Sequence, residues 1–374
     1  MRRSFTILAA RASIALAFAL TFALTFAPTL RAQETGLAAS AVIIAPTYAA
    51  YSIGGGKTEK RVDQYSSPFA FIIPVTKTFT IDFSTSYAAS TVTSNGAVTS
   101  SIAGMTDTQV RGSLIVFDQH VALTLGLNLP TGRYTVTADQ QEAAGQIGNS
   151  FLMMPVGGMG VGPGGTMGLA FAERYGAWNL GLSGSVRKTG RFDAFQLTTG
   201  VLRFEPGDEY RLRVGVDRPL GNGSFSGSLN YSKFGPDIID SSAFPTGDRM
   251  MLQSSLALPI GDNTLSIGFW DMYRLSGEMI GTAAPWENVA DLSIGWSIRG
   301  KLLSLQTSVE QRIWQIEGAR AGDLTNFGIG AQFNIGSFTI VPSSTVAIGK
   351  LHSAEGGPTA DLQGIRGQLL IRWH

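Results

Sequence analysis

Apolar and polar residues alternate one by one along most of this chain. In Lys301–Trp314, Leu303, Leu305, Val309 and Ile313 share one face, while Ser304, Gln306, Ser308, Glu310 and Arg312 share the other. Tyr210–Asp217 sets Tyr210, Leu212, Val214 and Val216 against Arg211 and Arg213, and Trp178–Arg187 sets Trp178, Leu180, Leu182 and Val186 against Asn179, Ser183, Ser185 and Arg187. A period of two is that of a β-strand with one apolar face. Such segments, bounded by turn residues, recur at Ala39–Tyr51, Gln64–Val75, Thr78–Val92, Thr108–Phe117, Gln119–Leu129, Thr166–Glu173, Gly176–Lys188, Glu209–Asp217, Ser224–Phe234, Arg249–Pro259, Asn263–Leu275, Val289–Arg299, Lys301–Trp314, Thr325–Ile335, Ser337–Lys350 and 361–373.

The connections fall into two classes. Tight turns follow every second strand. Longer stretches occupy the other positions: 52–63, 93–107, 130–165, 189–208, 235–248, 276–288, 315–324 and 351–360. Short turns on one side and long loops on the other are the habit of a transmembrane barrel. The expectation is therefore an all-β fold: a transmembrane antiparallel β-barrel of about sixteen strands, with both termini periplasmic. Phe192–Phe204 could be a further strand; parity places it in an external loop, and 14 to 18 strands fit the pattern. In the last strand Ile365, Leu369, Ile371 and Trp373 form the apolar face. It should close the barrel against Ala39–Tyr51. Its alternation and terminal aromatic resemble the signal read by the barrel-assembly machinery, with His374 as a departure.

Composition strengthens this picture. Hydrophobic residues make up 44% of the chain and charged ones 15%, with 46 glycines, yet no helix-length apolar run exists beyond the amino terminus. There, Met1-Arg2-Arg3, the apolar stretch Ile14–Phe26 and Leu30-Arg31-Ala32 read as a secretory leader over residues 1–32. The barrel is then 33–374. Removing the leader takes away Arg2, Arg3, Arg11 and Arg31 and no acid, leaving 24 basic against 27 acidic residues. Nothing in that balance suggests a nucleic-acid partner. The chain has no cysteine, so disulfides and thiolate metal sites are excluded, and no cofactor is expected. Phe79, Phe117, Tyr175, Trp178, Tyr231, Phe234, Trp314 and Trp373 lie near strand ends, where aromatic girdles meet the lipid headgroups. These features point to the outer membrane of a Gram-negative bacterium, reached by export, with membrane lipid as the surrounding partner.

The stretch Thr106–Gly132 reads TDTQVRGSLIVFDQHVALTLGLNLPTG, and Phe204–Val216 reads FEPGDEYRLRVGV. A strand opening Asp-Thr-Gln, a tight turn, a strand ending Leu-Asn-Leu-Pro-Thr-Gly and a later Pro-Gly-Asp before a strand resemble a family of outer-membrane transporters linked to meta-pathway phenol degradation. That resemblance implies an outer-membrane channel for small aromatic or other hydrophobic compounds. It carries no agreed binding residues. Independently of it, Pro130 ends strand pairing, and Gly132 permits a turn.

Candidate chemistry is sparse. The loop 130–165 contains FLMMPVGGMGVGPGG, and Phe151, Met153, Met154 and Met159 are poorly suited to water. Two arrangements fit: the loop folds into the lumen as a constriction, or it extends the next strand along the wall. Arg111, Arg187, Arg211, Arg213, Arg312, Arg366 and Arg372 fall on non-apolar faces, with Glu310 as the clearest acid. They either tune ion selectivity, giving a weak anion preference, or brace the lumen through ion pairs. Gly160–Gly165 matches G-x-G-x-x-G but no helix follows, so it holds no phosphate. The three histidines, His120, His352 and His374, sit at a turn, a loop and the last position, and only His352 has a local grouping, with Ser353 and Glu355. The reading is a non-enzymatic channel for passive diffusion of small solutes. A non-conducting structural or adhesive barrel and an outer-membrane hydrolase are the alternatives.

Overall fold

A computed structural model describes residues 40–374, except 55–59, 118–119, 134, 155, 198–199, 280–281, 301, 353–358 and 374. The expected leader, residues 1–32, together with Ser353, Glu355 and His374, lies outside the described residues. Eighteen strand segments form one sheet. They amount to sixteen strands, because the first and fourth are each interrupted once: β1 (Ala41–Ile44, continued by Thr47–Gly54), β2 (Lys60–Pro74), β3 (Phe79–Ser94), β4 (Ala97–Met105, continued by Thr108–Val116), β5 (Val121–Leu129), β6 (Gly164–Tyr175), β7 (Trp178–Thr189), β8 (Glu209–Leu220), β9 (Gly223–Phe234), β10 (Arg249–Ile260), β11 (Asn263–Arg274), β12 (Glu287–Arg299), β13 (Leu303–Ile316), β14 (Ala319–Ile335), β15 (Phe338–Leu351) and β16 (Ala360–Trp373). Every neighbour is antiparallel. The ring closes where β16 pairs with β1, from Val42↔Trp373 to Gly54↔Asp361. Pro46 sits at the interruption of β1; with no N–H to give to the ladder, it splits the strand expected over Ala39–Tyr51.

The alternation puts the apolar residues outside. Leu125, Leu127, Met167, Ile294, Ile329 and Ile348 are all more than half exposed. Similar residues recur on the outer face of strand after strand. A patch that size in water would drive aggregation, whereas in lipid it is a belt. The inner face carries Ser, Thr, Gly and Arg. This inversion, together with closure that leaves no sheet edge, satisfies the condition for backbone to cross a bilayer.

One rim has only short turns. The other carries the long connections, but two of the eight expected there are tight. Residues 93–107 contain the hairpin Asn95-Gly96 instead of a loop, and 315–324 contain Glu317-Gly318. Both residues of each pair have positive φ, which matches the twist of a two-residue hairpin. Phe192–Phe204 does form strands, Phe192–Leu197 and Gly200–Glu205, but they stand outside the wall. They join Asp237–Ile239, Ser242–Phe244 and Val136–Thr137 in a separate five-stranded sheet. Two of the expected girdle residues also face the other way: Trp314 and Phe234 point inward, where each packs against a lumen group. Tyr175 and Phe117 are exposed at the short-turn rim, as is Trp373 on the outer wall.

Candidate functional site

The longest connection, 130–163 between β5 and β6, builds the site, and its root is a single carboxylate. β4 breaks between Met105 and Thr108, which releases Asp107 from the ladder. Asp107 Oδ1 accepts the Gly132 N–H at 3.0 Å; Oδ2 accepts the Val161 N–H at 2.7 Å and Asn128 Nδ2 at 2.8 Å. Both ends of the loop are thus pinned to one buried acid. The Thr108 N–H donates to Thr131 Oγ1 at 2.9 Å. The Asp-Thr-Gln and Leu-Asn-Leu-Pro-Thr-Gly stretches that carry the family resemblance therefore meet as this clamp. The role expected for Gly132 is corrected: a Cβ there would lie 2.6 Å from Met159 O and Asp107 N, so close approach demands glycine.

The middle of the loop contains a short helix, α1 (Gln141–Gln146), docked on β4. Ser100 Oγ donates to Asp139 O at 2.6 Å and accepts the Ala143 N–H at 3.1 Å. Lys60 Nζ lies 2.7 Å from Glu142 Oε1, and that hydrogen bond holds the Glu142 carboxyl below the usual range.

The far end reaches β13, β16 and β1, whose contacting residues face the interior. Arg312 donates from Nη1 to Phe151 O at 2.7 Å, Tyr51 Oη donates to Leu152 O at 2.9 Å, and Arg366 donates from Nη1 to Met153 O at 3.2 Å. Three successive carbonyls are gripped by side chains from three strands. The Phe151 ring stacks on Trp314 with centroids 5.4 Å apart. It fits because Trp314 pairs with Gly322, where a Cβ would come 2.9 Å from that ring. Phe151, Leu152, Met154, Val156 and Met159 are buried in one apolar cluster with inner-face residues such as Val62, Leu324 and Leu362. Met153 turns away from it with φ at 51°. β13 lies eight strands from β5, half-way round a ring of sixteen, so the loop crosses the lumen. β6 begins at Gly164, and residues 151–159 do not lengthen it.

The arginines separate into two groups. Arg312 is 1% exposed and Arg366 5%. Arg312 donates from Nε to Asp291 Oδ2 at 3.0 Å and from Nη2 to Glu310, which also accepts Asn326 Nδ2 at 2.6 Å. Arg111, paired with Asp82 at 2.9 Å, and Arg211, paired with Glu209 at 2.6 Å, keep side chains more than half exposed inside the barrel. Arg213 and Arg187 line the same inner face, opposite Ser183 and Thr166. Arg372 lies near the short-turn rim, opposite Ile43 and Thr339. Ile365, Leu369 and Ile371 lie with Trp373 on the outer face of β16. Ile371 and Trp373 join Val42, Ile44 and Phe338 in a shallow apolar depression along the closing seam.

Five lining residues escaped the sequence reading: Tyr51, Asp107 and Asp291, and the pair Arg249 and Arg274, which stand opposite each other on the inner face of β10 and β11 at the long-loop rim. The first three lie in or beside strands whose alternation was visible, and each is an inner or strand-break position. His120 lies 2.9 Å from Glu173 at the short-turn rim, and His352 lies 3.0 Å from Asp323 at the opposite one. Among the described residues no three His, Asp or Glu side chains gather as a metal site would require.

A closed antiparallel barrel with an apolar exterior and a charged interior defines a transmembrane β-barrel. No protein-family model matches the chain, and no curated protein does. Among solved structures it is similar to a bacterial polysaccharide outer membrane secretin, at 9% identity and a TM-score of 0.49, over 91% of this chain and 99% of that one. It is also similar to a deletion mutant of the monoaromatic hydrocarbon channel TodX, at 8% identity and a TM-score of 0.45, over 89% and 90%. An outer membrane channel from Pseudomonas putida F1 matches at 11% identity and a TM-score of 0.38, over 93% and 100%.

Proposed function

We propose that the protein is an outer-membrane channel for passive diffusion of small solutes, with the short-turn rim and both termini in the periplasm and the leader removed on export. The observation that carries this reading is the inverted wall: sixteen strands enclose a lumen wide enough for water, lined by charged side chains and crossed by a single loop. In this reading 130–163 is the constriction: Phe151, Met154 and Met159 are packed against the wall and hold it in place, and Met153, turned away from that cluster, adds an apolar group suited to aromatic or hydrophobic compounds. Arg111, Arg187, Arg211 and Arg213 set a weak anion preference, while Arg312 and Arg366 brace the loop with Glu310. Ile365, Leu369, Ile371 and Trp373 serve recognition by the barrel-assembly machinery.

The packed cluster around Phe151 favours a second reading, a filled and non-conducting scaffold. Planar-bilayer recording separates the two. The channel reading expects discrete ion conductance and a reversal potential displaced toward anions under a salt gradient. A silent bilayer with correctly assembled protein supports the scaffold, and a cation preference removes the role given to the arginines.

A further inference from the structure

We infer that the long-loop mouth of the lumen holds a binding site for small organic carboxylates, centred on Arg249. The inference rests on the channel reading and names a solute class for it.

The site follows from strand register. Across β7 to β12, one inner-face row runs Ser185, Arg211, Ser232, Arg249, Arg274 and Glu287, each directly opposite the next. Three guanidinium groups thus stand within four neighbouring strands, on β8, β10 and β11, at one height. Arg211 is tied to Glu209 at 2.6 Å, and Arg274 to Glu287 at 3.2 Å. Arg249, by contrast, has no carboxylate within ion-pair distance among the described residues, though it lies within electrostatic reach of both other arginines and of Glu209 and Glu287, which are already paired to them. One positive charge in the row is left over, and it sits between two more. One like charge on each side makes that position costly unless an anion screens it. A carboxylate offers two oxygens to the planar fork of a guanidinium, the geometry in which such pairs are strongest.

The second element is aromatic. The Arg249 guanidinium lies over the Phe234 ring, 5.7 Å from its centroid. Phe234 follows Ser232 along the inner face of β9, so its ring stands beside the leftover charge. A flat apolar group attached to a carboxylate finds that ring next to the charge that holds its anion. Position gives the site its consequence. The loop and its buried cluster cover the arc from β11 through β16 and β1 to β4, and in the channel reading solute passes along the remaining arc, β5 to β10, at whose edge Arg249 lies.

The probe is benzoate, added to the long-loop side of a bilayer while chloride current is recorded. Wild type should show saturable reduction of the current. Benzyl alcohol, with the same ring and no charge, should show none, and inorganic phosphate should act more weakly because it cannot use the ring. Arg249→Gln should weaken the benzoate effect about tenfold, the loss of one charge-assisted hydrogen bond. Arg249→Lys, which keeps the charge and the assembly of the barrel, should weaken it less, and Phe234→Leu should reduce the benzoate effect while leaving that of acetate unchanged. Equal block by benzyl alcohol in wild type, or undiminished benzoate block in Arg249→Gln, overturns the site even if the channel conducts normally. A wild-type barrel that passes no current overturns the channel reading and the site with it.

Discussion

Arg312 and Arg211 occupy matching places in their strands. Each lies on the inner face, and each has a glutamate two residues before it, Glu310 and Glu209, to which it is hydrogen-bonded. Yet Arg312 is 1% exposed, while the Arg211 side chain is 52% exposed. The difference is what lies over them. The loop from β5 ends its crossing on Arg312, where Phe151 presents its carbonyl, while Leu152 and Met153 present theirs to Tyr51 and Arg366 beside it. Among the described residues nothing comparable reaches Arg211. The same Glu-x-Arg pattern serves as a buried brace on one arc and as a water-facing charge on the other. Cover, not sequence, decides which.

That contrast can be broken most severely at the buried end. Arg312→Met leaves Asp291 and Glu310 facing each other without the cation hydrogen-bonded to both, and Phe151 O without a donor. We expect a loss of about 3–5 kcal/mol, read as a lower temperature for the heat-modifiable unfolding of the barrel. Replacing Arg312, Asp291 and Glu310 together by apolar residues should recover most of it, because the unpaired charges carry the cost.

Asp107→Ala tests the root. It strands the Gly132 and Val161 N–H groups, at about 1–3 kcal/mol each. Limited proteolysis should cleave within 130–163 in this variant and spare the wild type. If the loop stays protected, the clamp is not what holds it.

Arg211→Gln should be mild by comparison, costing about 1–3 kcal/mol, because Arg211 faces water and only its partner Glu209 is buried. Its effect appears instead in selectivity, as a reversal potential moved toward cations. A large stability loss with unchanged selectivity would erase the distinction between the two arcs.

The smallest effect concerns α1. Lys60 holds the Glu142 carboxyl below its usual range. A group depressed on folding stabilises fully above its unfolded pKa and loses that contribution as the pH falls through the folded value. Docking of α1 should therefore be constant near neutrality and weaken only below about pH 4, by no more than about 0.5 kcal/mol for so exposed a pair. Amide exchange in Gln141–Gln146 across that range checks it.

The wall was legible because period-two alternation is written residue by residue. It separated Leu303, Leu305 and Val309 from Ser304, Glu310 and Arg312, and the structure keeps those faces. The turn Asn95-Gly96 carried a clear hairpin signal, but it fell where a long loop was expected from the rhythm of the other connections. The site was only half legible. Phe151 and the methionines stood out as apolar residues in a loop, whereas the groups that hold them are backbone carbonyls, which every residue has. Asp291 and Tyr51 belong to alternating strands like any other lining residue, and only the folded loop marks them as its anchors. Arg249 and Arg274 sit at strand ends, where a count of alternating positions runs out.

The central claim is that the loop crossing the lumen limits what passes. Its most direct test is the single-channel conductance of a variant in which Gly145–Pro163 is replaced by a short glycine-serine linker. With β5, β6 and the rest of the wall intact, the conductance should rise several-fold over wild type toward that of an open sixteen-stranded barrel. An assembled variant with the wild-type conductance would contradict the account.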